Sequence, residues 1–557
     1  MLSDRIAAAA GRRPAELVFR GAQVVDVLRH CVTVCDVAVT DGVIVGLGAY
    51  EGGTVIDARG QYLLPSLIES HAHIESSMLT PGEYARTVAA WGVTTVLADP
   101  HEIANVCGEA GIAYMQAASD GLPVDIRYLL PSCVPASGIG TPGETLDALD
   151  TARLLRTGRF AGLGEMMNYV GVTEGDPEVL AKLETADFVD GHAPLLTGRA
   201  LCAYACTGIR TDHECTTAEE ALEKLGAGLY VQLRFGSSAQ DLPRLIGAVT
   251  PYTLRRLLLC TDDRTPEDLV EHGSIAACLA EAVRCGVDPI DAVTMATLNP
   301  AECYGLGRIG AVAPGYRADL LLTPDLTFTK ISAVYKDGVC IAAGGRALFS
   351  APAVPPADRV LRTLHLPPLT AATFALPFQP DDVVIQVQPG SLITLPARRA
   401  SAAGLNRCAV LERHHGSGSI GRAWIDGMGL VGGAIAQSIG HDAHPVTVVG
   451  DRPEDMLLAV RALGAEGGLS VVADGRVLAL LPLPIAGLLS DRPAAEVAAL
   501  HRRALDALRA LRCAEGIAPF MLLSFLSLPV IPYVKLTDQG LYDVERRRFI
   551  DQTQQEA

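Results

Sequence analysis

The chain has 557 residues, of which 49% are hydrophobic and 19% charged, with a mean hydropathy of +0.28. That length exceeds one ordinary core, and that composition belongs to a folded globular protein rather than a disordered one. The formal charge of -18 (45 basic against 63 acidic residues) argues against a nucleic-acid partner, which calls for a basic patch, but leaves a near-neutral free nucleobase open.

The first residues, an alanine run followed by arginines, lack the order of a secretory signal. Residues 17 to 64 alternate apolar and polar in short runs broken by glycine turns, a small antiparallel β region. The same texture returns after residue 308. Segments 1–64 and 308–350 are therefore expected to form one composite β-sandwich domain around a long middle section.

The middle section, 65–307, repeats a unit without repeating its sequence. Short β-type runs end in polar or ionisable groups at His71, Asp99, Cys133, Glu165, His192, His213, Arg234 and Asp262, at intervals of 21 to 34 residues. A strand, a loop and a helix need about 30 residues. Intervening stretches such as PGEYARTVAAWG and AEEALEKLGAG read as helices closed by glycine. The predicted fold class is α/β, a (β/α)8 TIM-type barrel, in which chemistry sits at the C-terminal ends of the strands.

Residues 351 to 370 are rich in proline and read as a linker; 371–557 read as a separate C-terminal α+β domain with one clear helix, RPAAEVAALHRRALDALRAL. Gly416 to Gly421 fit G-x-G-x-x-G, but the residues after Gly421 make a poor helix, so the stretch reads as a turn rather than a dinucleotide site. Ala518 to Val534 is apolar but broken by Pro519, Pro529 and Pro532, too short and interrupted for a membrane span. The 14 cysteines contain no C-x-x-C pair and read as reduced thiols. A soluble, cytoplasmic protein without a membrane partner is expected, and a homo-oligomer, a dimer.

His71 and His73 form H-x-H at the end of the first barrel strand, on one face because strand side chains alternate. Glu165, His192, His213 and Asp262 end later strands. Imidazoles with carboxylates suit a borderline divalent ion: manganese, iron or zinc. Two ions sharing the site, bridged by Glu165, would hold hydroxide at neutral pH, with Asp262 relaying its proton. His101 and Glu102 end the second strand and read as pocket-lining, substrate-contacting or additional metal-binding residues. Glu75 and Ser77, with Ser76, follow the ligand strand and read as groups that orient the histidines, or as a helix cap. Arg234, an always-charged donor, reads as binding a ring nitrogen or pairing with Glu214.

These segments together resemble the bacterial adenine deaminases of the amidohydrolase superfamily. His71-Ala72-His73-Ile74-Glu75-Ser76-Ser77-Met78 is similar to that family's signature, as are Asp99-Pro100-His101-Glu102, Gly164-Glu165-Met166-Met167-Asn168, Asp190-Gly191-His192, Asp212-His213-Glu214 and Thr261-Asp262-Asp263. The likeness extends through ERHHGSGSIG and GAIAQSIGHDAH near the C-terminus. It implies a binuclear manganese or iron centre held by His71, His73, Glu165, His192, His213 and Asp262, with a glutamate where many relatives use a carboxylated lysine. It implies hydroxide attack at purine C6, protonation of a ring nitrogen and loss of ammonia, a step of purine salvage. It also implies that His414, His415, His441 and His444 cap the site.

The chain departs from the family at Arg234-Phe235-Gly236-Ser237, where R-E-G-S is common, and at His441-Asp442-Ala443-His444-Pro445, where H-D-S-H-N is usual. Phe235 reads as stacking on a purine or packing. It keeps open an amidohydrolase acting on a different nucleobase or cyclic amide. A non-catalytic relative would have lost metal ligands, and none is missing here. A nicotinamide oxidoreductase rests on the glycine turn alone.

Overall fold

The computed structural model describes residues 1–551 apart from 353, 381 and 392. Strands from both sides of the middle section share one nine-stranded sheet. Its joint is Tyr62–Pro65, which runs antiparallel to Leu320–Thr323 with Leu63 opposite Leu322. Phe19, Ile44, Leu63, Leu320 and Tyr335 fill one face, and the Phe19 and Tyr335 rings meet edge to face at 4.8 Å. All nine strands lie on one hydrogen-bonded network that draws on both flanking segments.

Between these segments run eight parallel barrel strands: β1 (Leu67–Ala72), β2 (Val93–Ala98), β3 (Asp125–Tyr128), β4 (Leu163–Met166), β5 (Val189–Gly191), β6 (Thr211–Asp212), β7 (Tyr230–Arg234) and β8 (Leu257–Cys260). Every residue of β1, β2 and β8 is buried, as expected of parallel strands covered by helices outside and side chains inside. The ring closes where the Asp262 N–H donates to the His71 carbonyl at 3.0 Å and the His73 N–H to the Asp262 carbonyl at 3.2 Å. Two ligand candidates from opposite ends of the middle section are thereby stitched together by backbone. After β3 the chain runs on without helix or strand until the helix Ala148–Leu155, so Cys133 lies in a loop rather than at a strand end; its thiol donates to the Glu165 carbonyl at 3.2 Å.

The proline-rich segment is packed rather than free. Val360 and Leu364 are buried, and the His365 N–H donates to the Arg413 carbonyl at 2.7 Å. Beyond it, an eight-stranded sheet spans 384–482 and a three-stranded one 534–549. Gly416–Gly421 leads into the strand Ile420–Asp426, so the glycine turn opens no helix. The helix Ala494–Ala507 docks on the barrel: His501 pairs with Glu267 at 2.7 Å, and the Ala494 N–H donates to Glu83 at 3.0 Å. All 14 cysteines are free. Among the described residues, no helix is long and apolar enough to cross a membrane.

Candidate active site

The six residues predicted as metal ligands converge at the C-terminal ends of the barrel strands. His73 Nε2 lies 3.2 Å from Glu165 Oε1 and 3.1 Å from Asp262 Oδ1. His71 Nε2 lies 3.5 Å from the same Asp262 oxygen. On the other side of Glu165, Oε2 is 2.6 Å from His192 Nδ1 and 3.4 Å from His213 Nε2. The donor atoms of His71, His73 and Glu165, and those of Glu165, His192 and His213, each fall within 4.8 Å of one another. Glu165 belongs to both groups, the position a bridging carboxylate needs.

The residues present fit a pair of cations. His71 Nδ1 is 2.7 Å from Asp190 Oδ2 and His73 Nδ1 is 2.9 Å from the Asp99 carbonyl. Those acceptors place each ring proton on Nδ1 and leave Nε2 as a lone-pair donor facing inward. His71 Nε2 is buried without a hydrogen-bond partner, an orphan that a metal ion satisfies. Burial opposes ionisation of Glu165 and Asp262. His192 beside Glu165, and His71 and His73 beside Asp262, nonetheless hold both carboxyls well below the usual range.

Several residues that position the site are not singled out for that role in the sequence. Asp190 holds His71 and is itself held by Thr211 and by Gln232 at 3.3 Å. Asp99 Oδ2 accepts the Glu165 N–H at 2.9 Å, and a Cβ on Gly164 would stand 2.1 Å from that oxygen, so only glycine fits before Glu165. Glu69 accepts from the Thr261 N–H and hydroxyl at 3.0 and 2.8 Å, fixing the strand that carries Asp262; burial pushes its carboxyl up to about 7. The one available hint for Asp190 and Glu69 is their place, two residues before a ligand on the same strand.

Of the predicted substrate contacts, His101 is close to the centre, its Nδ1 3.5 Å from Glu165 Oε1. Glu102 turns away from it, toward His441 and His444. Glu75 accepts the Ile103 N–H at 3.2 Å and so ties the 3-10 turn Ile74–Ser77 to the start of the helix His101–Ser119. Glu214 touches the cluster, 3.4 Å from His213 Nε2. Arg234 is ringed by carboxylates: its terminal nitrogens pair with Glu214, with Asp262 at 2.9 Å and with Asp241 at 3.2 Å, while its Nε is buried without a hydrogen-bond partner. Of the two expected roles, pairing with Glu214 is present. Ser77 donates to the Ile74 carbonyl at 2.6 Å within its own turn; Ser76 is the serine that reaches outward, to Asp263. Phe235 leaves the site altogether, packing with Trp91, Ala276 and Phe328 on the outer side of the barrel. Chain reversal explains this, because the strand ends at Arg234 and the next side chain faces the surrounding helices.

Beside the cluster opens a cavity of about 440 Å³ between the barrel and the C-terminal region, within the size range of small-molecule sites. Ser76, Ser237, Asp263 and His441 give it polar edges, and Leu469, Ile517 and Phe520 apolar walls. Of the four histidines predicted to cap the site, His441 lines this cavity and His444 meets Glu102. His414 and His415 are instead spent on the backbone carbonyls of Ala443 and Pro142.

A closed parallel barrel with histidines and carboxylates at its strand ends defines the amidohydrolase class, and the Amidohydrolase family model matches residues 62–341. A second model, the Adenine deaminase C-terminal domain, matches residues 382–548. A protein named adenine deaminase from Nitratidesulfovibrio vulgaris is 48% identical over 99% of this chain and 98% of its own length. Others of that name, from Halalkalibacterium halodurans and Clostridium acetobutylicum, are 42% and 39% identical over 99% of this chain and 98% and 100% of their own. The chain belongs to the adenine deaminase family. Among solved structures it is similar to an enamidase of the amidohydrolase superfamily at 17% identity and a TM-score of 0.45, over 61% of this chain and 98% of that one.

Proposed function

We propose that the protein hydrolyses adenine to hypoxanthine and ammonia, with two divalent cations, manganese or iron, held by His71, His73, Glu165, His192, His213 and Asp262. The observation that carries this reading is the convergence of those six side chains around Glu165, in a chain whose relatives bear the name adenine deaminase over nearly their full length. Ions bound there would polarise water and lower its pKa.

The chain's own groups do the rest. Asp262 Oδ2 is fixed by Arg234, which leaves Oδ1 facing the histidines as the base. It accepts a proton as water oxygen adds to C6 and returns it to the departing amine, so that water and adenine become hypoxanthine and ammonia. The apolar walls around Phe520 suit a flat heterocycle, and Asp263 and Ser237 offer polar atoms to its edge. Phe235 faces away from this cavity, so its substitution for the family's glutamate puts no ring on the substrate.

Purified protein loaded with manganese and offered adenine, guanine, cytosine and dihydroorotate tests the reading. Ammonia release from adenine alone is expected. No release from adenine with turnover of another compound would overturn it.

A further inference from the structure

A second group of ionisable side chains lies beside the first, and the proposed reaction does not use it. It forms where the helix His101–Ser119 meets the 441–444 turn of the C-terminal region. Glu102 is buried there, with His441 Nδ1 against Oε1 and His444 Nε2 against Oε2. His101 Nε2 is 3.4 Å from Glu102 Oε1 and 3.9 Å from Asp442 Oδ1. That Asp442 oxygen is buried, without a hydrogen-bond partner, and aimed into the group. Donor atoms of His101, His441 and Asp442 lie within 4.8 Å of one another.

The hydrogen bonds sort the histidines. The Gly440 N–H donates to His444 Nδ1 at 3.1 Å, so a neutral ring carries its proton on Nε2, the nitrogen that faces Glu102. His444 therefore orients the carboxylate and is not a ligand. His101 is the reverse: its Nδ1 faces Glu165 at 3.5 Å and Asp99 at 3.8 Å, carboxylates that favour a proton there, which frees Nε2 as a lone-pair donor. Glu102 and Asp442 bring two carboxylates into one buried volume, and among the described residues only histidines are ion-paired with them. Buried carboxylates need a cation, and two imidazoles with two carboxylates form a mixed nitrogen and oxygen donor set.

We propose that His101, Glu102, His441 and Asp442 bind a further divalent transition-metal ion at the seam between barrel and C-terminal region, separate from the His71–Asp262 centre. Two of its ligands come from each side, so the ion fastens the C-terminal region over the cavity mouth.

The test counts ions on the full-length chain, stripped with chelator, dialysed against Mn(II) and read by elemental analysis. In a His71→Ala/His73→Ala/His192→Ala background, one manganese per chain is expected to remain, and adding His441→Ala removes it. Mn(II) also raises the melting temperature of the background but not of the added variant. If His441→Ala fails to fold, Asp442→Asn, nearly isosteric, gives the same reading. No ion in the background, or a count unchanged by both substitutions, would overturn the site. The count is independent of substrate, so failure of adenine turnover leaves this result standing.

Discussion

Two buried acidic clusters sit side by side at the barrel mouth, and they are neutralised in opposite ways. Asp212 and Glu220 close on Lys224, a fully buried ammonium that reaches them at 2.8 Å each and spends its third donor on the Ala193 carbonyl at 2.7 Å. Glu165 and Asp262 are faced mainly by imidazoles, one of which keeps an orphaned nitrogen. The first cluster carries its own cation and is a strut. The second offers lone pairs and is a holder for a cation from outside. Asp212 and His213 are neighbours in sequence, yet one serves the strut and the other the holder, because successive strand side chains point to opposite faces.

Asp262→Asn would break the holder most completely. Turnover is expected to fall about 10²- to 10⁴-fold, the usual scale for losing a general base, while circular dichroism stays native. Near-normal rates would put the chemistry elsewhere. Lys224→Met strikes the strut instead, leaving two buried carboxylates without a counter-charge; urea denaturation is expected to show a loss of about 3–5 kcal/mol. A loss too small to measure would mean that the lysine is not what closes that cluster. Asp190→Asn replaces the carboxylate that fixes the His71 tautomer with a neutral amide, and metal affinity is expected to drop about 10- to 100-fold with little change in the urea midpoint.

A third ionic cluster, below the barrel, sharpens the contrast through pH. Burial raises the Asp125 carboxyl, but Lys336 at 2.7 Å, with Arg317, holds it below its ordinary value of 3.8. A depressed folded pKa contributes stability above the unfolded value, which is lost as pH falls through the folded one. Lys336→Met is expected to shrink the difference between urea midpoints measured at about pH 6 and about pH 3. An undiminished difference would assign the acid sensitivity to other groups. The smallest effect is expected from Phe235→Leu: a stability change under about 1.5 kcal/mol and an unaltered KM for adenine. A clear rise in KM would return that ring to the substrate.

The site is legible in the sequence wherever a ligand ends a strand, because strand position and inward direction follow from local alternation. His71, His73, Glu165, His192, His213 and Asp262 are all of that kind. Asp190 and Asp99 are harder to read. Each is one acid among many in an acidic chain, and its partner lies a long way off along the sequence. Ser77 and Phe235 depart from expectation because a turn begins at each: Ser77 closes its own 3-10 turn, and Phe235 follows the last residue of β7.

By itself, the sequence determined the barrel's repeat, the inner face of its strands and the chemical character of its candidate ligands. These depend on short-range periodicity and residue type. Only the tertiary structure decided which carboxylate meets which imidazole, which ring nitrogen keeps its proton, and that Glu102 turns to the C-terminal histidines rather than to the centre. Those outcomes rest on contacts between residues tens to hundreds of positions apart, and on burial that makes each unpaired donor or charge too costly to leave unmatched.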